Sequence, residues 1–305
     1  PEVAGAVAAS THEAIDEIIL VGDQPGLESI LAEQYPGGKK IRVVHASEVI
    51  TTHDSPAVAV RQKKDASLLV ALRMVKQGEA DGIVSAGNTG AVHVGARTVL
   101  GPIRSVARSA ICQMMPTRKN PAVLLDLGAN VDCTARHLCD FAEMGMLYSK
   151  LMLNVKSPRV GLLNIGEEQV KGNEVAKAVH AKLQAARQIN FVGNIEPRAL
   201  FSGNADVVVC DGFVGNMILK TSEAVASFMA FLVKRELKST WTSMLGAALA
   251  SGAFRRLKKT VDPDEYPGAP LLGVNGVVVI CHGSCTSQGI ASAITGAYRA
   301  IDCDL

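Results

Sequence analysis

A doubly wound α/β sandwich, with a mostly parallel, Rossmann-like sheet between helices, is the architecture to expect from this chain. Two observations lead there. Short β-branched runs recur, and each ends in a Gly/Asn/Ser/Asp cluster followed by a helix-like stretch. The runs are continuously apolar, which marks strands buried on both faces in a parallel sheet. In chain order, residues 18–21 precede Gly22-Asp23. Ile83-Val84-Ser85 runs into Ala86-Gly87-Asn88-Thr89-Gly90, and Val123-Leu124-Leu125-Asp126 into Leu127-Gly128-Ala129-Asn130. Val160-Gly161-Leu162-Leu163 leads to Asn164-Ile165-Gly166-Glu167-Glu168, and residues 189–192 lead to Gly193-Asn194. Val207-Val208-Val209-Cys210 leads to Asp211-Gly212-Phe213-Val214-Gly215-Asn216, and Val277-Val278-Val279-Ile280 to Cys281-His282-Gly283-Ser284. No linker or low-complexity tract divides the 305 residues, so one domain over 1–305 is expected. A helical segment protrudes at about 223–259. Within it, residues 239–254 carry no charge, and Lys234, Arg235, Lys238, Arg255, Arg256, Lys258 and Lys259 flank them.

Composition narrows the function. The net charge is +2, so no global field favours nucleic acid. One Trp, four Tyr and seven Phe suit tight turns between elements better than a base-stacking surface. The seven cysteines are odd in number and lack CxxC spacing, which argues against a disulfide framework or a zinc site and for a reducing cytoplasm. No signal peptide is visible, and no apolar run reaches the roughly 20 residues of a membrane span. The chain starts at Pro1 without an initiator Met, and a segment upstream is expected.

In a doubly wound sheet, ligands sit beyond the carboxyl ends of the strands, which is where these loops lie. Helix N-termini there favour an anion, and glycines let the backbone approach it. GxGxxG after a strand and GxxxxGK[ST] are both absent, and Gly38-Lys39-Lys40 reads as a surface turn. A small anion such as phosphate is therefore the natural guest. HExxH and GxSxG are absent too, and no metal or cofactor is expected.

Taken in order, the loops resemble the bacterial acyl carrier protein–dependent phosphate acyltransferase family of phospholipid synthesis. The resemblance rests on Asp54-Ser55-Pro56, on the 85–91, 125–132 and 158–168 stretches, and on Lys171-Gly172-Asn173-Glu174. It continues through 190–196, 206–216, Lys220-Thr221 and His282-Gly283-Ser284. Departures are small: Ala224 stands where Gly is commoner, and Cys281 and Cys285 where Ser is usual. Family members also begin with a strand and a Gly-rich loop upstream of the position of Pro1. The resemblance implies a fold related to phosphate acetyltransferases and isocitrate dehydrogenase-like enzymes. It further implies a cytoplasmic homodimer that touches the membrane peripherally. The expected reaction moves a fatty acyl group from acyl carrier protein to inorganic phosphate. A coenzyme A-dependent phosphate acyltransferase and a non-catalytic scaffold of the same fold are the alternatives.

For that reaction the expected catalytic residues are Lys171 as the charged contact, Asn216 as an amide donor and His282 as a proton shuttle. Ser85, Gly87, Asn88, Thr89, Gly90, Asn130, Asp132, Gly166, Asp211 and Gly215 are the expected phosphate-binding set. Asn88, Asn130 and Asn216 could equally be turn or cap residues, Lys171 a solvated helix residue, and His282 a structural histidine. Asp126 and Asp211 could simply hold loop backbone. Residues 239–259 are expected either to lie on an anionic membrane or to pack against a second subunit. Arg61, Lys63, Lys64, Arg255, Arg256, Lys258 and Lys259 are candidates to meet the acidic carrier protein.

Overall fold

The computed structural model describes residues 1–36, 40–261, 266 and 268–305. Gly38 and Lys39 of the expected surface turn, and the side chains of Lys258 and Lys259, lie outside the described residues. The chain opens with α1 (Glu2–Ala9), β1 (Ile18–Gly22), α2 (Gln24–Gln34), β2 (Ile41–His45), α3 (Pro56–Gln62) and α4 (Ser67–Gln77). Next come β3 (Gly82–Ser85), α5 (Thr89–Val99), β4 (Ala110–Met115), β5 (Ala122–Leu125), α6 (Ala135–Leu153) and β6 (Arg159–Leu163). These are followed by α7 (Glu174–Ala185), β7 (Asn190–Ile195), α8 (Pro197–Ser202), β8 (Val207–Val209) and α9 (Gly212–Leu237). The last elements are α10 (Trp241–Leu249), α11 (Ser251–Val261), β9 (Ala269–Leu272), β10 (Val277–Ile280) and α12 (Ser287–Asp302).

An eight-stranded sheet runs in the order β3-β10-β9-β4-β5-β8-β6-β7, and β1 and β2 form a separate parallel pair. Successive residues of one strand feed opposite cores. Ala122 and Leu124 of β5 enter the cluster built on α4, α5 and α8, whereas Val123 and Leu125 enter the one built on α6 and α7. Val208 and Val207 of β8 divide in the same way. That two-sided burial is what the continuous apolar runs require.

The sheet is mixed. β3–β10, β5–β8, β8–β6 and β6–β7 pair parallel, but β9 runs antiparallel to both β10 and β4, and β4 antiparallel to β5. Three reversals separate β10 from β5, so β3 and β10 point opposite to β5, β8, β6 and β7. The carboxyl ends therefore form two groups rather than one rim.

α9 links the groups. It leaves the end of β8 packed by Gly212 and Gly215, and beyond its first turn none of its residues is buried. At 1.5 Å per residue its 26 residues extend about 39 Å. The protruding helical segment comprises three helices, α9 to α11. Lys238 ends the first, and the Thr240 hydroxyl accepts from Ser243 N at 3.1 Å to start the next. By length and composition alone, α9 is long and apolar enough to cross a membrane, the one such helix among the described residues. Val225, Phe228, Met229, Phe231, Trp241, Leu245 and Leu249 are all exposed on this arm.

At the other end of the sheet, a cavity of about 670 Å³ opens between β1 and β3, and Ser85, Ala86, Gly87 and Asn88 contribute to its wall. Each residue of β1 is only half-buried as a result.

Candidate functional site

The loop after β5 wraps around the Asp126 carboxylate, which is completely buried. It accepts from Ile111 N (2.9 Å), Ala129 N (3.2 Å), Asn130 N (2.7 Å) and Asn130 Nδ2 (2.9 Å). Burial pushes this carboxyl up, and the four donors hold it down in part. Asn130 Nδ2 also donates to Ser109 O at 2.7 Å. Asp126 and the Asn130 amide nitrogen thus shape the loop. Asp132, two residues on, is exposed and carries no hydrogen bond or ion pair.

α9 is pressed onto this loop. Asp211 is its N-cap, accepting from Val214 N at 2.7 Å, so the Asp211 carboxylate is engaged by the helix rather than offered to a ligand. A Cβ on Gly215 would collide with Asp126 O, and one on Gly212 would stand 2.7 Å from Asn130 O. Only glycine permits this approach. It carries Asn216 to Gly128, where a Cβ would stand 3.7 Å from Asn216 Cγ. The Asn216 amide is exposed and makes no hydrogen bond among the described residues.

One strand over, residues 164–173 form the loop that presents Lys171. Asn164 Nδ2 donates to Lys171 O (3.1 Å), Lys171 N donates to Glu168 O (3.0 Å), and Asn194 Nδ2 donates to the same Glu168 carbonyl (2.9 Å). Gly172 sits at φ +90°, and a Cβ there would stand 2.7 Å from Asn164 Oδ1, so the position demands glycine. The aliphatic stem of Lys171 lies over Gly166, its Cγ 3.1 Å from where a Cβ would be. The Lys171 ammonium is exposed and takes part in no ion pair or hydrogen bond among the described residues.

In the opposite-pointing group, Asn88 caps α5. Its Oδ1 accepts from Ala91 N (3.0 Å), and its Nδ2 donates to Thr51 O (3.1 Å) and Asp54 O (3.3 Å). Ser85 Oγ accepts from Gly87 N (3.2 Å). Gly90 packs beneath Pro56, where a Cβ would stand 2.7 Å from Pro56 Cγ, so the start of α5 lies close against the 51–56 loop. The Thr89 hydroxyl stays free and exposed at the first helical position. Lys63, expected at a carrier-protein patch, is committed elsewhere. Its ammonium bonds Asp54 (2.7 Å) and Val49 O (2.8 Å), which holds the Asp54 carboxyl at about 2.

The two groups meet through α9. About 12 Å along the helix from Gly212, Lys220 Nζ approaches His282 Nε2 at 3.4 Å and bonds Glu223 at 2.9 Å. His282 Nδ1 lies 2.7 Å from Ser284 Oγ. Ser284 N also donates to His282 Nδ1 at 3.2 Å, so donors face the ring from both sides, Ser284 at Nδ1 and Lys220 at Nε2. The loop after β10 also reaches the β3 loop, where a Cβ on Gly283 would stand 4.0 Å from Ala86 O.

The structure therefore joins Asn130, Asp211, Gly215 and Asn216 directly, and draws in His282 through Lys220. It sets Lys171 and Gly166 on the neighbouring strand end, without a direct hydrogen bond to Asn216 among the described residues. Ser85, Gly87, Asn88, Thr89 and Gly90 sit beside the β10 loop. Lys220 and Glu223 went unassigned in the sequence. The signal was there, an i,i+3 charge pair one turn after Asn216, but only the fold puts His282 against it. Cys112, Cys210 and Cys281 are buried as expected, and burial pushes the Cys112 and Cys210 thiols up.

Comparison with known proteins gives the family and the fold. The fatty acid synthesis protein family model matches residues 1–305. The phosphate acyltransferase of Moorella thermoacetica is 48% identical over 98% of this chain and 88% of its own length. That of Pelotomaculum thermopropionicum is 47% identical over 98% of this chain and 87% of its own. A phosphotransacetylase from Streptococcus pyogenes shares the fold at TM-score 0.65 and 16% identity, covering 98% of this chain and 91% of its own. A branched-chain phosphotransacylase from Enterococcus faecalis does so at 0.61 and 16%, covering 99% and 95%. On the full-length family match and these relatives, the chain belongs to the fatty acid synthesis protein family.

Proposed function

We propose that this protein is an acyltransferase that moves a fatty acyl group from the thioester of acyl carrier protein to inorganic phosphate, giving acyl phosphate for phospholipid synthesis. The observation that carries the reading is the sorting of polar side chains at the strand ends. Asn88, Asn130 and Asp211 are each held by hydrogen bonds within their loops, while Lys171 Nζ, Asn216 Nδ2 and Thr89 Oγ1 have no partner among the described residues. Lys171 and Asn216, a cation and an amide donor left idle on neighbouring strand ends, suit a small divalent oxyanion, and the Thr89 hydroxyl at the start of α5 offers a further donor from the second group.

The chemistry needs no protein nucleophile. A phosphate oxygen attacks the thioester carbonyl, the carbonyl becomes an oxyanion, and collapse expels the carrier thiolate. Lys171 offsets the phosphate charge, and Asn216 donates to the oxyanion. The His282–Lys220 pair serves the departing thiolate, which leaves as thiol once it takes a proton. Holding the two reactants together contributes up to about 7–11 kcal/mol in ideal geometry, and each oxyanion donor about 3 kcal/mol.

The same reading places the enzyme in the cytoplasm as a homodimer, with residues 239–259 meeting the inner membrane surface or the second subunit. The exposed Trp241, Leu245 and Leu249 support an apolar partner for that arm.

The test offers the purified protein phosphate with either acyl carrier protein thioester or coenzyme A thioester and measures acyl phosphate by mass spectrometry. Product from the carrier thioester is expected. Lys171→Ala and Asn216→Ala should each lower turnover at least tenfold, with melting temperature within a few degrees of wild type. Full activity in both variants removes the assignment, and an acyl group found covalently on Ser or Cys removes direct attack.

A further inference from the structure

Behind the Asn130 loop lies a group of cations that the reaction scheme above leaves unused. His93 and Arg97 stand one turn apart on α5. His93 Nε2 lies 2.9 Å from Ser109 Oγ, and Ser109, completely buried, gives its carbonyl to Asn130. Ala107 N donates to Asp140 Oδ2 at 2.9 Å, which draws the 107–109 segment, and Arg108 with it, against the first turns of α6, where Arg136 and His137 sit. These bonds tie together the three elements that carry Arg97, Arg108 and Arg136. None of these guanidinium groups makes an ion pair or a hydrogen bond among the described residues. Arg97 Nη1 is buried without a partner.

The electrostatics match the geometry. Burial first and Arg108 after it depress Arg97; burial, then Arg97 and Arg108, depress His93; burial, then Arg108, Arg136 and Arg97, depress His137. Asp140 is the carboxylate that opposes them at His137, and its Oδ2 already takes the Ala107 N–H. A guanidinium does not shed its proton, so three of them on adjoining elements, none with a partner among the described residues, call for an anion. Planar N–H forks select phosphoryl oxygens. Because the unpartnered nitrogen is buried, the anion has to be small or borne on a slender arm. A carboxylate on the surface of a docked protein stays outside.

Resting on the acyltransferase reading, we propose that Arg97, Arg108 and Arg136 form a second phosphoryl-oxyanion subsite, which holds the phosphodiester of the pantetheine arm of the thioester donor. Arg97 lies about 13 Å along α5 from the Asn88 cap, too far to share one phosphate with the helix N-terminus but within reach of an extended arm. The Ser109–Asn130 bond connects this subsite to the loop on which Asn216 rests. Donor arm and acceptor phosphate then occupy separate anion sites on either side of that loop.

Two kinds of measurement test it on the full chain: titration calorimetry with 4′-phosphopantetheine and with inorganic phosphate, and KM for donor and for phosphate separately. Wild type, Arg97→Gln/Arg108→Gln and Arg136→Gln are compared, with melting temperatures to confirm folding. If the double variant does not fold, the exposed Arg136→Gln decides the matter. The expected result is a donor KM raised at least tenfold in the double variant and severalfold in Arg136→Gln, with KM for phosphate unchanged and phosphopantetheine binding lost. A rise in KM for phosphate instead would assign the cluster to the acceptor and overturn the proposal, as would unchanged phosphopantetheine binding. Failure of wild type to make acyl phosphate, with arginine-dependent phosphopantetheine binding intact, would overturn the acyltransferase reading and leave the subsite standing.

Discussion

Side chains that look alike in the sequence part company once their partners are known. Asn88, Asn130 and Asn216 each follow an apolar run, yet the first two have their amides engaged and the third does not. The difference lies with distant chain. Thr51 and Asp54 occupy Asn88, and Ser109 occupies Asn130. The run-then-Asn pattern was therefore legible as a loop at a strand end, but the free donor among the three was not. A residue-scale prediction concerns His93. Burial first, then Arg97 and Arg108, push its pKa from 6.5 down to about 4. The unfolded chain takes up a proton at about 6.5 and the folded one does not until about 4, so stability falls as pH drops through that window. His93→Gln keeps a donor for Ser109 and removes the titration. Its melting temperature should fall less than that of wild type between pH 6.5 and 4, and parallel curves would refute the assignment.

At the scale of elements, packing of α9 on the Asp126 loop places Asn216 and Lys220. It depends on Gly215, where any side chain meets the Asp126 carbonyl. Gly215→Ala forces the helix start outward, and overpacking of this kind costs about 1–3 kcal/mol. Both melting temperature and turnover should fall, and a variant that keeps wild-type turnover would show that the position of α9 does not matter. The strands followed by a Gly/Asn/Asp loop and a helix (β1, β3, β5, β6, β7, β8 and β10) were all readable as such. β2, β4 and β9 were not. β4 and β9 are the antiparallel strands, and β4 returns directly as β5 with no crossover helix. Periodicity reports burial but says nothing of strand direction.

Across the whole molecule, one long helix bridges two groups of loops on opposite-pointing strands through the Lys220–His282 contact. The bridge continues into an arm whose apolar side chains meet no core. Trp241, Leu245 and Leu249 are exposed, and Arg255 and Arg256 follow on α11. Such a surface suits an anionic membrane. Liposome flotation should recover wild type, and Leu245→Glu/Leu249→Glu should remain in the soluble fraction. Equal flotation of the two would remove the membrane contact, and loss of a dimer on sizing the variant would assign the arm to the second subunit. Local order along the chain was enough to specify a parallel α/β core, anion-friendly helix starts and the polar residues that crown each strand. These follow from short-range rules of burial, capping and glycine conformation. The strand reversals, the meeting of His282 with Lys220 and the placing of three unpaired arginines on adjoining elements behind Asn130 arise from contacts tens of residues apart. No local pattern encodes them, because strand order and helix crossing are set by how the two cores pack.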